Sequence, residues 1–510
     1  MNARTRGAAA LATAASAAAL VALPGPVAAH AIGGTFQLPL PLWLYLVGAA
    51  SAVGASFVVT AAVQRRASDG SAYPTWRVPS PVASVARWTL RLVGLAWWYG
   101  AIAVGFAIGD ISPLPAVLLW VGIWVGLPIA AVLVGNPWPS LSPFRSTFAG
   151  LEWLGRRAGT RALDAGLPYP RRLARWPAVA LLAVAIWIEL ILPGAEVATT
   201  VATTMLGYTL LTLAGMALVG QVAWLRNAEL FEVLLGWFGR IGPIGRRAVS
   251  PPLCAECGEG CDPERCVDCP ECAVAADDRE RVAELRPWTV GLTQVRAAGW
   301  SDAAFIVVAL AGVSYDGMYE TAFGAALLGA LLPPIEAVFG ITGTTFLLLD
   351  TLAFALVVAA FLAAFGMIAA LTSRLADVAG GRSALGATAG QYAAALLPIA
   401  AGYLIAHYLT LVIQGLVWLP SLIVDPLMSL APELDWIPVG FVWYLSVAAI
   451  VGGHVVAIVL AHRLALRDSP SRPIVAGLPM VALMIGYTVL SLWIIAQPIV
   501  IEPGRTVTGP

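Results

Sequence analysis

The sequence predicts an all-α membrane protein, a polytopic helix bundle of about ten transmembrane helices with a small cytoplasmic cysteine-rich metal-binding loop. The chain is 59% hydrophobic and only 11% charged, whereas soluble domains are about 25% charged. Apolar runs long enough to cross a bilayer recur along it, and all six cysteines fall in one short acidic stretch. The formal net charge of zero gives no indication of nucleic acid as a partner. The apolar runs make the lipid bilayer the expected partner.

The N-terminus has the organisation of a secretory signal peptide, residues 1–29. Arg4 and Arg6 precede the apolar run 8–23, and small residues ending at Ala29 suit signal peptidase. Cleavage there would leave His30 as the mature N-terminus, outside the cytoplasm. The alternative is that this segment stays as an uncleaved first helix.

Ten apolar runs follow, and a helix of about 20 apolar residues spans a bilayer. Arginine is concentrated in alternate loops, and predicted outer loops such as 109–113, 193–200 and 420–438 contain no Arg or Lys. This positive-inside bias predicts a multi-pass protein of the plasma membrane with the cysteine loop in the cytoplasm. The expected division is a first bundle half 30–225, a cytoplasmic loop 226–300 and a second half 301–510. The predicted spans are 41–63, 88–108, 114–134, 176–193, 197–224, 301–316, 343–371, 387–416, 439–463 and 473–497.

The cysteine cluster within 254–272 has the spacing C-x2-C-x3-C-x4-C-x2-C-x2-C. Cytoplasmic thiols stay reduced, so a metal site is favoured over a disulfide framework. Paired CxxC steps suit tetrahedral zinc or an iron–sulfur cluster, and the spacing leaves both open. We expect a structural metal that folds the loop rather than a redox centre. The expected ligands are Cys254, Cys257, Cys261, Cys266, Cys269 and Cys272.

Ionisable residues inside membrane spans are costly and mark candidate functional sites. Asp316 and Glu320, at the end of the sixth span, would share one helix face. They are expected in the outer half of the membrane, on the same side as His30. His30, His407 and a carboxylate could together hold copper or zinc, and zinc could activate water for ester hydrolysis. Other interpretations are that the carboxylates sit at the water boundary and that His407 satisfies a buried hydrogen bond.

Several motifs occur together in order: HAIGG with LPLPLWLYL, GNPWP, VSYDG, AHYLT with QG, and GYTVLSLWIIAQPIV. The chain resembles, over most of its length, a family of prokaryotic polytopic membrane proteins labelled fenitrothion hydrolase. That resemblance implies a metal-dependent hydrolase of organophosphate triesters, with attention to His30, Asp316 and His407. In this interpretation His30 and His407 are metal ligands and Asp316 or Glu320 is a ligand or base. The expected substrate-binding residues are Asp350, Tyr408 and Gln414.

Two other functions stay open. A transporter or metal-handling permease would use the carboxylates and His407 to line a path across the membrane. An electron-transfer subunit would carry an iron–sulfur cluster on the cysteine loop. The sequence contains no GxSxG, HExxH, P-loop or dinucleotide fingerprint that would favour another enzyme class, and it does not identify a protein partner.

Overall fold

The computed structural model describes residues 36–64, 73–159, 163–248, 281–293, 298–319, 321–376, 382–428 and 430–501. Within these residues the protein is mostly helical, and ten helices are long and apolar enough to cross a membrane. The protein is therefore an integral membrane helix bundle, and the all-α polytopic prediction is confirmed. The predicted signal peptide and all six cysteines lie outside the described residues.

The helices and strands are numbered along the chain. The helices are α1 Leu42–Val63, α2 Ser80–Ala107, α3 Leu114–Leu133, α4 Trp138–Leu141, α5 Pro143–Arg157, α6 Trp176–Leu190, α7 Ala198–Val219, α8 Gln221–Asn227, α9 Leu230–Gly239, α10 Val290–Thr293, α11 Trp300–Tyr319, α12 Ala322–Phe339, α13 Gly343–Leu375, α14 Arg382–Ala394, α15 Leu397–Val424, α16 Val439–Asp468 and α17 Pro473–Ile499. The strands are β1 Phe36–Gln37, β2 Thr75–Trp76, β3 Ile244–Ala248, β4 Arg281–Leu285 and β5 Val500–Ile501.

The membership of the ten differs from the prediction at two helices. The expected fourth span is α6, which has only 15 residues. An additional apolar helix, α12, has 18 residues and was not expected because Pro333, Pro334 and Glu336 interrupt its apolar run. It packs against α13, and its buried residues, which are Gly324, Leu328 and Leu332, are spaced four apart.

Helix α11 lies at the centre of the second half of the bundle. Of its membrane-spanning window 83% is buried, more than in any other span of the described chain. It packs against α6, α13, α14 and α15. Small residues make this crowding possible, since an alanine or glycine lets a neighbouring helix approach closely. Asp302, in its first turn, accepts a hydrogen bond from the Gly299 backbone N–H at 2.9 Å and forms an ion pair with Arg175 of the loop before α6.

The GNPWP segment is a tight junction between α3 and α4. Gly135 has a φ of +143°, and a Cβ there would lie 2.3 Å from the Ile244 carbonyl oxygen, so only glycine fits without movement. The Ile244 N–H donates to the Val134 carbonyl at 2.9 Å. Asn136 accepts a hydrogen bond from the Trp138 backbone N–H at 2.9 Å. These contacts attach the end of α3 to strand β3.

Strands β3 and β4 pair in antiparallel register, from Ile244 opposite Leu285 to Ala248 opposite Arg281. Strand β2 adds to β4 and completes a three-stranded sheet. The predicted cysteine loop is the connection between β3 and β4, so the two ends of that connection start from neighbouring strands. At the other end of the chain, β1 and β5 pair in parallel, which places the two described ends of the chain side by side.

A buried ion pair joins α5 to α9. Arg145 Nη2 lies 2.9 Å from Glu232 Oε1, and Arg145 Nε donates to Glu232 Oε2 at 3.2 Å. The side chains are only 8% and 2% exposed. Glu229 caps the same helix, accepting hydrogen bonds from the backbone N–H groups of Phe231 and Glu232 and from the side chain of Trp138. The short helices at this end of the bundle are thus held together by buried polar contacts.

Replacing Glu232 by Gln should lower the free energy of unfolding by about 3 kcal/mol, because it removes the negative charge that faces a buried guanidinium. The midpoint of thermal unfolding of the purified protein in detergent measures this effect. Replacing both partners, Arg145→Met with Glu232→Leu, should recover much of the loss, since the buried charge is then gone.

The matched control is Glu152→Gln, which breaks an exposed pair between Glu152 and Arg156 at 3.8 Å. Exposed pairs contribute about 0–1 kcal/mol, so this midpoint should stay close to that of the wild type. Equal midpoints for Glu232→Gln and Glu152→Gln would show that the buried pair has no structural importance.

Candidate functional site

Three helices bring ionisable side chains together inside the bundle. Helix α11 supplies Asp316 in its last turn, α15 supplies His407 and Tyr408, and α6 supplies Glu189 next to its last residue. Helix α11 packs against both α6 and α15. Gly312 allows the approach of α6, because a Cβ there would lie 2.6 Å from the nearest atom of an α6 side chain.

Asp316 contacts His407 and Tyr408 through the same carboxylate oxygen. His407 Nε2 lies 2.9 Å from Asp316 Oδ2, and the Tyr408 hydroxyl donates to this oxygen at 2.6 Å. The two rings stand edge to face, with centroids 4.6 Å apart. The side chain of His407 is 3% exposed and that of Asp316 is 17% exposed. Hydrogen bonds to an ionised carboxylate are short and strong, so these contacts position both rings.

Glu189 is the second carboxylate of the site. It accepts a hydrogen bond from the Trp124 indole N–H at 2.5 Å. It also lies within range of electrostatic interaction with Asp316 and Tyr408. Two nearby carboxylates repel each other when both are ionised, and a bound proton or cation relieves that repulsion. Trp124 lies in a π-helical segment of α3, Val117–Gly126, and π-helical turns are frequent at functional sites.

A cavity of about 60 Å³ lies beside these groups. Glu189 and Tyr408 are on its wall, and most of its other lining is apolar. One water molecule needs about 10–15 Å³ of such a cavity, so there is room for several water molecules. The apolar wall includes Leu182, Leu234, Phe238 and Leu404. The site therefore combines partly buried carboxylates with space for water.

Gly317 leaves the room that the aromatic part of the site occupies. A Cβ at Gly317 would lie 2.4 Å from Ile494 Cγ2 and 2.6 Å from the Tyr403 hydroxyl oxygen. It would also approach His407 Cε1 at 3.8 Å. The rings of Tyr403 and His407 lie one helical turn apart on α15, with centroids separated by 5.6 Å. Glycine is required here for space and not for backbone conformation.

The other predicted binding residues make different contacts. The Asp350 backbone carbonyl accepts a hydrogen bond from the Tyr315 hydroxyl at 3.2 Å. The Gln414 side-chain amide donates to the Pro432 carbonyl at 3.0 Å, which ties α15 to the loop before α16. Tyr408 is brought directly onto Asp316. The structure thus assembles Asp316, His407 and Tyr408 from the predicted set.

The remaining predicted site residues, which are His30, Glu320 and the six cysteines, lie outside the described residues. Within the part of the chain that the structure describes, no group of three or more His, Cys, Asp and Glu side chains is placed to hold a metal ion. Asp316 and His407 do meet, but as hydrogen-bonding partners. The copper or zinc centre at the outer site and the metal at the cysteine loop stay predictions.

Glu189 and Trp124 complete the site and were not predicted. The signal for Glu189 is present in the sequence, because a carboxylate within the apolar run AIWIELIL is as conspicuous as Asp316. Trp124 carries no comparable signal, since tryptophan is frequent in this chain, with 19 copies. Only the packing of α3 against its neighbours distinguishes it from the others.

Comparison of the chain with protein-family models, with curated proteins and with solved structures gives no match. The resemblance to the fenitrothion hydrolase family therefore stays a prediction. The chemistry of the assembled side chains is the basis for the function proposed below.

Replacing Gly317 by Ala should lower the free energy of unfolding by about 1–3 kcal/mol, because the added methyl group overpacks the contact of α11 with α15 and α17. The thermal midpoint in detergent measures the change. The control is Gly329→Ala on α12, where a Cβ meets no atom within 4 Å. That variant should be as stable as the wild type or slightly more stable, because alanine is the better helix former. A Gly317→Ala protein as stable as Gly329→Ala would contradict the close contact.

Proposed function

We propose that this integral membrane protein is a proton-coupled transporter whose transported proton binds at the acid cluster, defined as Glu189, Asp316, His407 and Tyr408. The observation that carries the proposal is the contact of Asp316 with His407 and Tyr408, on two helices inside the bundle, with Glu189 of a third helix on the wall of the adjoining cavity. Chains of Asp, Glu and His within membrane spans are typical of proton relays in pumps and transporters.

The acid cluster differs from the structural ion pairs of the same protein. Glu232 pairs with Arg145, and Asp302 pairs with Arg175. Arginine keeps its proton in proteins, so those pairs have a constant charge. Every member of the acid cluster can gain or lose a proton. The cluster is therefore suited to a changing charge, which coupling to proton transport requires.

The cavity supplies the route for the proton. Glu189 and Tyr408 stand on its wall, and water inside it would connect the two. A proton that binds to Glu189 passes through this water toward Asp316, where Tyr408 and His407 already form hydrogen bonds. Binding is favourable because the proton lowers the repulsion between the carboxylates of Glu189 and Asp316. The apolar wall keeps bulk water from solvating the charges of the acid cluster.

A pH jump applied to proteoliposomes on a solid-supported membrane tests the proposal without a known substrate. Entry of protons into the bundle displaces charge across the membrane, which appears as a transient current. The wild type should give this current, Asp316→Asn should reduce it to the level of empty liposomes, and Glu189→Gln should weaken it, because each variant removes a proton-binding carboxylate.

The matched control is His462→Gln. His462 is buried like His407, at 2% exposed, but its Nε2 contacts the Gln64 backbone carbonyl at 3.1 Å. Its replacement should leave the current unchanged. A wild type without any current, or an Asp316→Asn protein with the full current, would refute a proton site at Asp316.

A second candidate function is hydrolysis of an organophosphate triester. It is favoured by the contact of His407 with Asp316 next to a cavity that has room for several water molecules. An imidazole oriented by a carboxylate can remove a proton from an attacking water molecule. Turnover of a chromogenic phosphotriester by the purified protein distinguishes the two functions. Hydrolysis that disappears in His407→Gln would support the enzyme, and a wild type without turnover would exclude this candidate.

A further inference from the structure

We infer that the acid cluster continues into a relay formed by Ser314, Tyr487 and His454, which carries the proton toward the predicted cytoplasmic end of the bundle. This inference rests on the proposed function. The three residues come from α11, α17 and α16, and they were not among the predicted site residues. Their placement indicates a second proton-binding group, His454, below the first.

Ser314 and Tyr487 form the upper part of the relay. Their hydroxyl oxygens are 2.7 Å apart, and Ser314 also contacts the Leu310 carbonyl of its own helix at 2.8 Å. Ser314 is completely buried. Hydroxyl groups in direct contact can each accept one proton while releasing another, so this pair can pass a proton without carrying charge at rest.

His454 has one ring nitrogen available as a proton acceptor. It is completely buried, and its Nδ1 lies 2.8 Å from the Ile450 carbonyl. A carbonyl oxygen can only accept, so Nδ1 carries the hydrogen and Nε2 of the neutral ring is an acceptor. Among the described residues Nε2 has no hydrogen-bond partner. The ring lies beside that of Tyr487, with centroids 5.9 Å apart.

The packing of α15 on α16 gives the depth of His454. Gly453 packs against the backbone of Pro398 and Ile399, and Gly402 packs against Ala449 and Ile450. His454 is therefore level with the start of α15, about nine residues before His407. At 1.5 Å per residue this is about 13 Å along the helix axis.

Tyr403 and Gly317 connect the acid cluster to the relay. The Tyr403 hydroxyl stands against Gly317, and the Tyr403 ring lies next to His407. Ser314 and Gly317 are three residues apart on α11, so they share a face about one turn apart. One water molecule spans a gap of that size between the hydroxyl groups of Tyr403 and Ser314.

The proton moves by a chain of transfers that balances. The His407–Asp316 pair releases a proton to the Tyr403 hydroxyl, which passes its own proton to the bridging water, and the water passes one of its protons to Ser314. The Ser314 hydroxyl proton moves to Tyr487. A second water molecule then passes the Tyr487 proton on to His454 Nε2, because the two rings are neighbours but form no direct hydrogen bond. Each hydroxyl loses one proton as it gains one. The His407–Asp316 pair loses one unit of positive charge, and the His454 imidazole gains it, changing from neutral to positive.

The charge displaced in the pH-jump experiment reports how far across the membrane the relay carries the proton. Movement over about 13 Å of a hydrocarbon core of about 30 Å displaces roughly 0.4 of an elementary charge. Tyr487→Phe, Ser314→Ala and His454→Gln should each remove this component and keep the component that depends on Asp316. The control is Thr488→Val, because the buried Thr488 hydroxyl bonds back to the Met484 carbonyl of its own helix; its current should equal that of the wild type.

Thermal midpoints and gel filtration identify any variant that fails to fold, and Tyr487→Phe removes only one oxygen atom. Full charge displacement in Tyr487→Phe and His454→Gln would overturn the relay while leaving the proton site at Asp316 in place, provided that Asp316→Asn abolishes the current. Loss of Asp316 dependence would overturn the proposed function itself. A slower current in deuterium oxide for the wild type, with this effect lost in Tyr487→Phe, would support proton transfer through the phenol.

Discussion

The structure depends on how it accommodates carboxylates within an apolar helix bundle. Asp316 cannot be stable there without partners, because removal of a charge from water costs several kcal/mol. His407 and Tyr408 reach the same carboxylate oxygen from adjacent positions of α15. That contact requires α11 and α15 to be close, and the missing side chain of Gly317 makes the approach possible. The position of the central helix follows from this requirement.

The same constraint has a second solution in this protein. Near the junction of α3, α4 and β3, an arginine pairs with the buried Glu232, and backbone N–H groups, Trp138 and Tyr208 donate to the buried Glu229. This region also holds the Gly135 contact with Ile244, which joins the membrane helices to the small sheet. The Arg145–Glu232 ion pair therefore stabilises this end of the bundle, whereas the acid cluster lies around α11.

Helix α11 connects the acid cluster to the relay of Ser314, Tyr487 and His454. One of its faces lines the cavity with Gly312 and Val313, and another presents Ser314 and Gly317 to α15 and α17. A helix that is buried on most sides can serve both networks only if its other positions are small. A shift of α11 would change both networks together, which is the property expected of an element that couples proton binding to conformational change.

The sequence by itself determined the architecture class and part of the site. Apolar runs of about 20 residues have one stable form in a bilayer, so the helix bundle follows from composition and length. Asp316 and His407 stand out because ionisable residues in such runs are rare. The extent of α12 was not evident, because its two prolines and Glu336 interrupt the apolar run.

Only the tertiary structure decided which of these residues meet. Asp316 and His407 are 91 residues apart, and their contact with each other could not be read from either span. In a soluble protein, the polar side of a helix shows which side faces the core. Most positions of a membrane helix are apolar on every side, because lipid tails resemble leucine side chains. The pairing of Glu189 with Trp124, and the orientation of His454 toward Tyr487, were therefore set by packing between helices.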